Sequence, residues 1–562
     1  MMRNRSGARS SPRQPRRTRV ASILALWLVM ALTLCAPPVR AQVLIPADAI
    51  DRAPQLEQTL ERGGRLEAQQ RWGEALSHYE GAVREFPERR DLWERLARAR
   101  LHYDLARRYH DTSFLQSLSE LSETSALELY GEILTKIQTH YVEPPDWQEL
   151  AERGLANLLL ALQQTSFREQ NRLQASPAAL SSFASTIQRR MDVTVVKSSR
   201  QAQEVAANVA RAATEELGLA PVAAILEFAC GATNSLDLYS TFLTGGQLED
   251  TFNQIAGNFV GLGIELQTKH QALDIVGVIA GSPADHGGLR AGDRILEIDG
   301  RATTAVSTDE AADWLKGKEG STTELKVQDP EGNLRHIRLV RRRIEVPSLQ
   351  EARLADPEHG IAYVKLNNFQ RSTSRDLEAA LRTLHDQGMR TLILDLRGNP
   401  GGLLSAAVEI ADKFVSSGTI VSTRGRSMHE DFDYRAHATG TWHLPLLVLI
   451  DRDTASASEI FASAIRDHRR GTVIGQRSYG KGSVQGIWTL DSAGGGVRLT
   501  TARFYSPNGR AISSRGVAPD LIVQTVQRPA DEESLDSNDA TLQAAVQHAR
   551  SERQARWETR SP

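Results

Sequence analysis

Between Gly360 and Phe504 one pattern repeats: a short apolar run, a turn of glycine or small residues, then a stretch of helical period. Ile361–Leu366, Thr391–Leu396, Leu444–Ile450 and Thr472–Gly475 read as strands. Ser374–Asp386, Leu403–Phe414 and Ser456–Asp467 read as helices between them, and Gly496–Phe504 as a further strand. Runs that are apolar throughout belong in an interior, and strands alternating with helices build an α/β core. The remaining strands make β-rich additions to it.

Three turns of this region carry chemistry. The first, Asp453-Thr454-Ala455-Ser456-Ala457-Ser458-Glu459, follows an apolar strand and opens a helix. A serine there is exposed above the sheet, and the free N–H groups of the helix favour developing negative charge. Ser458 is the alternative nucleophile, and the plain role for either serine is a helix N-cap. The second turn, Ser478-Tyr479-Gly480-Lys481-Gly482-Ser483-Val484-Gln485, places a glycine-flanked lysine twenty-five positions after Ser456. A serine hydroxyl needs a base, and lysine is one only when a dry setting keeps it neutral. Gln485 is spaced to orient the amine.

The third turn is Asp395-Leu396-Arg397-Gly398-Asn399-Pro400-Gly401-Gly402. It lacks the Gly-Lys-Ser/Thr of a phosphate loop, whereas its backbone N–H groups suit an oxyanion hole. Glu459, one turn from Ser456, reads as a residue that steadies the site. His468, on the same helix as Ser456, reads as a surface residue rather than a base.

Residues 257–346 change character to short strands broken by glycine. Gly261-Leu262-Gly263-Ile264 and Gly292-Asp293-Arg294-Ile295 are the module's most specific points, with a helix over Asp309–Leu315. This resembles a PDZ domain. Glycines at 261 and 263 free backbone N–H groups for a terminal carboxylate, and the strand from Ile264 offers an edge to an extended peptide.

The remaining regions are helical. Residues 48–125 contain Gly63, Ala75, Tyr79, Ala82 and Pro87 at a spacing that resembles one tetratricopeptide repeat. This stretch is read either as a docking surface for an activator or adaptor or as plain helical packing. Residues 126–256 are helical with an insertion at 166–222, and 526–562 form a tail with a short helix.

Residues 1–41 hold eight arginines, no acid and an apolar run, Val20–Cys35, before Val39-Arg40-Ala41. They are expected to be a signal peptide directing export to the periplasm or cell envelope, with membrane contact only through an uncleaved signal. Without them the formal charge of −2 becomes about −10, which gives no reason to expect nucleic-acid binding. Cys230 is then the sole cysteine and, in an apolar setting, a buried structural residue.

Residues 126–165 and 222–525 resemble the C-terminal processing peptidases, also called tail-specific proteases. Leu236-Asp237-Leu238-Tyr239-Ser240, the PDZ signature and the three turns stand in the family's order. The resemblance implies a multidomain α+β chain: a helical N-terminal region, a PDZ β-domain over 257–346, and a protease core over 347–525. It implies Ser456 as nucleophile, Lys481 as general base and Gln485 as its positioning residue. Ala457, with Gly401 or Gly402, would form the oxyanion hole. No cofactor or metal is implied, and the substrate is a protein or peptide with a free C-terminus. Leu238 stands where relatives often carry proline. Lys316-Gly317 stands where arginine-glycine is common, a site tied in some members to activation by the PDZ domain. The rival reading is an inactive PDZ and tetratricopeptide-like scaffold in the cell envelope.

Overall fold

A computed structural model describes residues 47–269, 272–304, 306, 308–491, 494–523 and 539–558. The expected signal peptide, residues 1–41, and the tail from 524 to 538 lie outside the described residues. Among those described, no helix is long and apolar enough to cross a membrane. The chain divides into two units, residues 1–62 and 63–562. The described part of the first is the start of helix Ala47–Ala68.

The second unit is built around a six-stranded sheet. Its order is Leu349–Asp356, Ile361–Leu366, Thr391–Asp395, Leu446–Ile450, Thr472–Gly475 and Leu521–Ile522. Only the first strand runs antiparallel to its neighbour. Thr391–Asp395 and Leu446–Ile450 are buried at every position because both sheet faces are covered. Leu392, Leu394 and Val448 pack under helices Thr373–Asp386, Leu404–Asp412 and Ala457–Asp467. Ile393, Leu447 and Leu449 point the other way, onto Leu542, Ala545 and Ala549. Those three residues belong to Ala540–Glu558, so the tail's helix is 19 residues long and closes the core. Arg397 secures it, bonding Asp395 and Asp539 at 2.6 Å each.

A second sheet holds Thr241–Leu243, Gly496–Tyr505, Thr419–Gly425 and Phe432–Arg435, with Ser483–Thr489 also on the long strand. Ser483–Thr489 has no fully buried position, so it shows neither an apolar run nor an alternation by which sequence could reveal it.

The PDZ module is an antiparallel sheet in the order Ile264–Lys269, Ala272–Val278, Arg294–Ile298, Thr322–Gln328 and Leu334–Val340. Its entry and exit strands, Asn258–Gly261 and Arg342–Glu345, pair with each other. That pairing makes the module a closed insertion ahead of the core.

The helical region does not divide at residue 125. Leu105, Tyr109 and Phe114 share one core with Tyr130, Phe183, Ala206 and Phe228. At its centre Glu227 is fully buried and accepts from Arg108 at 2.7 Å, Tyr109 at 2.9 Å and Asn157 at 2.6 Å. A buried carboxylate requires such partners, and these come from both sides of the expected boundary. The 166–222 segment supplies helices Pro177–Asp192 and Ser199–Leu217 to the same core. Cys230 is buried there, and burial pushes its thiol up to about 12. Further towards the N-terminus, Ala75, Tyr79 and Ala82 are buried, and a Cβ at Gly63 would come within 2.3 Å of the Tyr79 hydroxyl.

Candidate active site

The three chemistry-bearing turns follow three adjacent parallel strands, Thr391–Asp395, Leu446–Ile450 and Thr472–Gly475. Their loops therefore meet at the carboxyl edge of the sheet, where α/β folds place their sites.

Ser456 has φ 56° and ψ −116°, a conformation that strains any residue with a Cβ. Its N–H donates to Glu459 Oε2 at 2.8 Å, and its carbonyl accepts from Glu459 and Ile460 at the start of helix Ala457–Asp467. Ser456 is half-buried, whereas Ser458 is fully buried and donates to the Asn399 carbonyl at 3.1 Å. Ser458 is thus a packing residue and Ser456 the serine with access.

Glu459 is completely buried and holds four donors. Oε1 accepts from Ser478 Oγ at 2.5 Å and Gly480 N at 2.7 Å; Oε2 accepts from Ser456 N and, at 2.9 Å, Lys481 N. Burial drives its carboxyl above the usual range, and the four donors work against that rise. The Ser456-x-x-Glu459 spacing is that of a capping box, which is the sequence signal for this role.

Lys481 lies between Gly480 and Gly482, where added side chains would meet the backbone of Arg515 and Ser513. Its Nζ lies 4.8 Å from the centroid of the Tyr239 ring. Burial, then the charge of Arg498, lowers its pKa to about 8, against the opposing pull of Glu459 and Asp237. Among the described residues no hydrogen bond joins Ser456 Oγ to Lys481 Nζ. Gln485 starts along strand Ser483–Thr489 and donates to Ser483 Oγ at 2.9 Å, with no hydrogen bond to Lys481.

The glycine turn lies against the serine. A Cβ at Gly401 would fall 2.8 Å from both Ser456 Cβ and Ala457 N. Gly401 N donates to Asn399 Oδ1 at 2.9 Å. In the bridge to Phe369, Gly401 O and Leu403 N make the bonds, so the Gly402 N–H points away from it. Among the described residues the N–H groups of Gly402 and Ala457 have no protein acceptor. They are therefore the pair open to an oxyanion. Asn399, missed in the sequence, organises this turn: it is fully buried, donates to Leu366 O at 2.9 Å and accepts Ala455 N at 3.0 Å.

His468 caps the far end of the helix from Ser456. It is half-buried and bonded to Thr419 O at 2.7 Å, not the surface residue the sequence predicts. Outside the sheet edge, Arg84 of helix Trp72–Glu85 pairs with Asp453 at 2.7 Å and stacks 4.5 Å from the Tyr479 ring.

In the PDZ module Gly261 ends the entry strand opposite Arg342 and Leu262 is buried in the core. Gly263 takes φ 81°, and a Cβ there would meet Ser282 Cβ at 2.3 Å. Ile264 opens the edge strand, paired on one side only. The helix Thr308–Leu315 next to it is tied outward by Arg107–Asp313 at 2.7 Å, and Lys316 pairs with Asp250 at 3.2 Å.

The model of peptidase family S41 matches residues 360–523, and that of the PDZ domain residues 275–329. The carboxy-terminal-processing protease of Bartonella bacilliformis is 37% identical over 300 residues, covering 52% of this chain and 68% of its own length. The carboxyl-terminal-processing protease of Synechocystis sp. is 35% identical over 276 residues, covering 49% of this chain and 64% of its own. A solved photosystem II D1 C-terminal processing protease is similar over 71% of this chain and 93% of its own, at 25% identity and a TM-score of 0.39.

Proposed function

The chain belongs to the carboxyl-terminal-processing proteases of peptidase family S41 and carries a PDZ domain, and from that membership we propose an exported serine endopeptidase that cuts protein substrates near their C-termini. Ser456 is the nucleophile and Lys481 the general base. The observation that carries this reading is the sharing of one Glu459 oxygen by the N–H groups of Ser456 and Lys481, beside N–H groups at Gly402 and Ala457 that have no acceptor among the described residues.

The neutral Lys481 amine turns from Tyr239 to Ser456 and takes the Oγ proton as Oγ bonds to the scissile carbonyl carbon. The carbonyl oxygen becomes an anion facing Gly402 N–H and Ala457 N–H, donors that need no rearrangement. Collapse breaks the C–N bond, and the Lys481 ammonium returns its proton to the departing amine. Water then attacks the acyl-serine, Lys481 accepts the water proton, and release of the acid restores Ser456 Oγ–H. Catalytic contacts often tighten only once substrate is bound, which accommodates the open Ser456–Lys481 geometry. Gln485 acts on the amine in that tightened state.

In this reading the substrate tail adds to the edge strand from Ile264, with its carboxylate at Leu262 and Gly263, and the PDZ module gates the core. The Arg107–Asp313 and Lys316–Asp250 pairs support a link from the PDZ helix to its surroundings. The tetratricopeptide-like helices offer a surface for an activator or adaptor, and the arginine-rich leader directs the chain to the periplasm or envelope.

The test is hydrolysis of a fluorogenic peptide with an apolar free C-terminus. Ser456→Ala and Lys481→Ala abolish turnover while circular dichroism shows an intact fold. Full cleavage by Ser456→Ala removes the nucleophile assignment, and no cleavage by the wild-type protein leaves the scaffold reading.

A further inference from the structure

We propose that Tyr239 is a positioning residue for the base: its ring roofs the Lys481 amine, and the N-terminal helical region holds that roof through Arg100. The inference rests on the serine–lysine reading above and gives Lys481 a partner outside the protease core.

Tyr239 stands in the short loop between helix Pro221–Asn234 and strand Thr241–Leu243. This loop is anchored far beyond what a connection requires. Asp237 Oδ1 accepts the N–H groups of Tyr239 and Ser240, each at 2.7 Å. Arg498 Nε, from the long strand of the second sheet, donates to Tyr239 O at 3.0 Å. Arg100, from helix Arg90–Arg108, donates to Leu238 O and reaches Asp237 O and Ser240 O at 3.4 Å. Tyr141 Oη donates to Leu236 O at 3.0 Å. The Tyr239 hydroxyl interacts electrostatically with Tyr479, two residues before Lys481. Donors from three separate elements thus fix one ring above one amine.

The ring acts on the amine in two opposite ways. Its bulk keeps water off the ammonium, which favours the neutral form. Its π-face attracts the cation, which favours the charged form. The other groups facing the amine are Arg498, which favours the neutral form, and Glu459 and Asp237, which favour the charged one. Burial is the largest influence on the amine, and the Tyr239 ring is part of what covers it. Removing bulk and removing the π-face alone must then move Lys481 in opposite directions.

The experiment titrates Lys481 in the full-length Ser456→Ala protein by its rate of acetylation with acetic anhydride against pH, read by mass spectrometry. Tyr239→Ala admits water and raises the midpoint by about one pH unit or more. Tyr239→Leu keeps bulk, loses the π-face and lowers the midpoint. Tyr239→Phe leaves it in place. Arg100→Ala raises it by less than Tyr239→Ala. Movement of the alanine and leucine variants in the same direction, or of neither, overturns the proposal. An unmoved Arg100→Ala removes the helical region from it. No turnover is needed in this titration, so its failure is distinct from failure of the protease reading, which peptide hydrolysis by the wild-type protein decides.

Discussion

Ser456 and Lys481 donate their backbone N–H groups to the same atom, Oε2 of Glu459, at 2.8 and 2.9 Å. The proposed nucleophile and base are held in register by a carboxylate that hydrogen-bonds to neither side chain. Glu459 is buried and carries two further donors on its other oxygen. A brace of this kind lets Ser456 keep a strained backbone, since the surrounding bonds over-determine it.

Loss of that brace has a defined cost. Each buried donor left without a partner costs about 1–3 kcal/mol, so Glu459→Ala, which strips the buried donors of Ser478 and Gly480, is expected to lose at least about 2 kcal/mol of stability. Glu459→Gln keeps the shape but turns an amide group toward N–H donors. It is expected to fold with a lower melting temperature and to lose about 100-fold in kcat, as for a small misplacement of reacting groups. Chemical denaturation and steady-state kinetics check both.

Gly401 and Gly402 separate by mechanism. Gly401→Ala puts a methyl group 2.8 Å from Ser456 Cβ and Ala457 N at a φ of 102°. Its expected effect is local: a loss of about 100- to 1,000-fold in kcat through the displaced oxyanion donors. Gly402→Ala drives its methyl group to 2.1 Å from Phe369 O, against backbone. It is expected to lower the melting temperature more than Gly401→Ala does.

In the proposed mechanism Lys481 must be neutral to accept a proton, and its pKa is lowered to about 8. The kcat/KM profile is expected to rise with pH through a midpoint near 8 and to level above it. Below the midpoint the rate falls about tenfold per pH unit, because the neutral fraction does. A pH–rate series on the wild type tests this, and a flat profile from pH 6 to 9 would exclude Lys481 as the base.

Asp356 ties the C-terminal helix to the core through Arg550 at 2.7 Å. Burial raises its carboxyl, but hydrogen bonds from His359 and Arg550 outweigh that and bring it down to about 2. A depressed carboxyl stabilises the folded form fully above its unfolded pKa of about 4 and loses that contribution as pH falls toward 2. Hydrogen-exchange protection over 540–558, taken relative to the intrinsic amide rate at each pH, is expected to fall across that window in the wild type. Asp356→Asn exchanges faster at neutral pH and shows a smaller acid-dependent change.

Much of the core was legible because its signals are local. Ile361–Leu366 and Thr472–Gly475 read from sequence with the bounds they have in the structure. Strands buried on both faces leave an unbroken apolar run that nothing else explains. The partly buried strand Ser483–Thr489 and the hairpin of Thr419–Gly425 with Phe432–Arg435 left no such trace. The helix of the tail was visible, but not that three of its small and apolar residues cover a sheet face. Division of the helices at residue 125 failed because Glu227 draws partners from both sides, a long-range constraint without a local pattern.

The site shows the same division. From the sequence alone came the serine on a strand-to-helix turn, the glycine-flanked lysine and the glycine turn, since each has the residue types its chemistry needs within a few positions. Only the tertiary structure decided that Asn399 occupies the Gly401 N–H and leaves that of Gly402 open, and that Ser458 is sealed while Ser456 is not. It alone set the ring of Tyr239 over the amine of Lys481. These relations depend on which strands lie side by side and which distant loops their ends meet, and local periodicity carries no record of either.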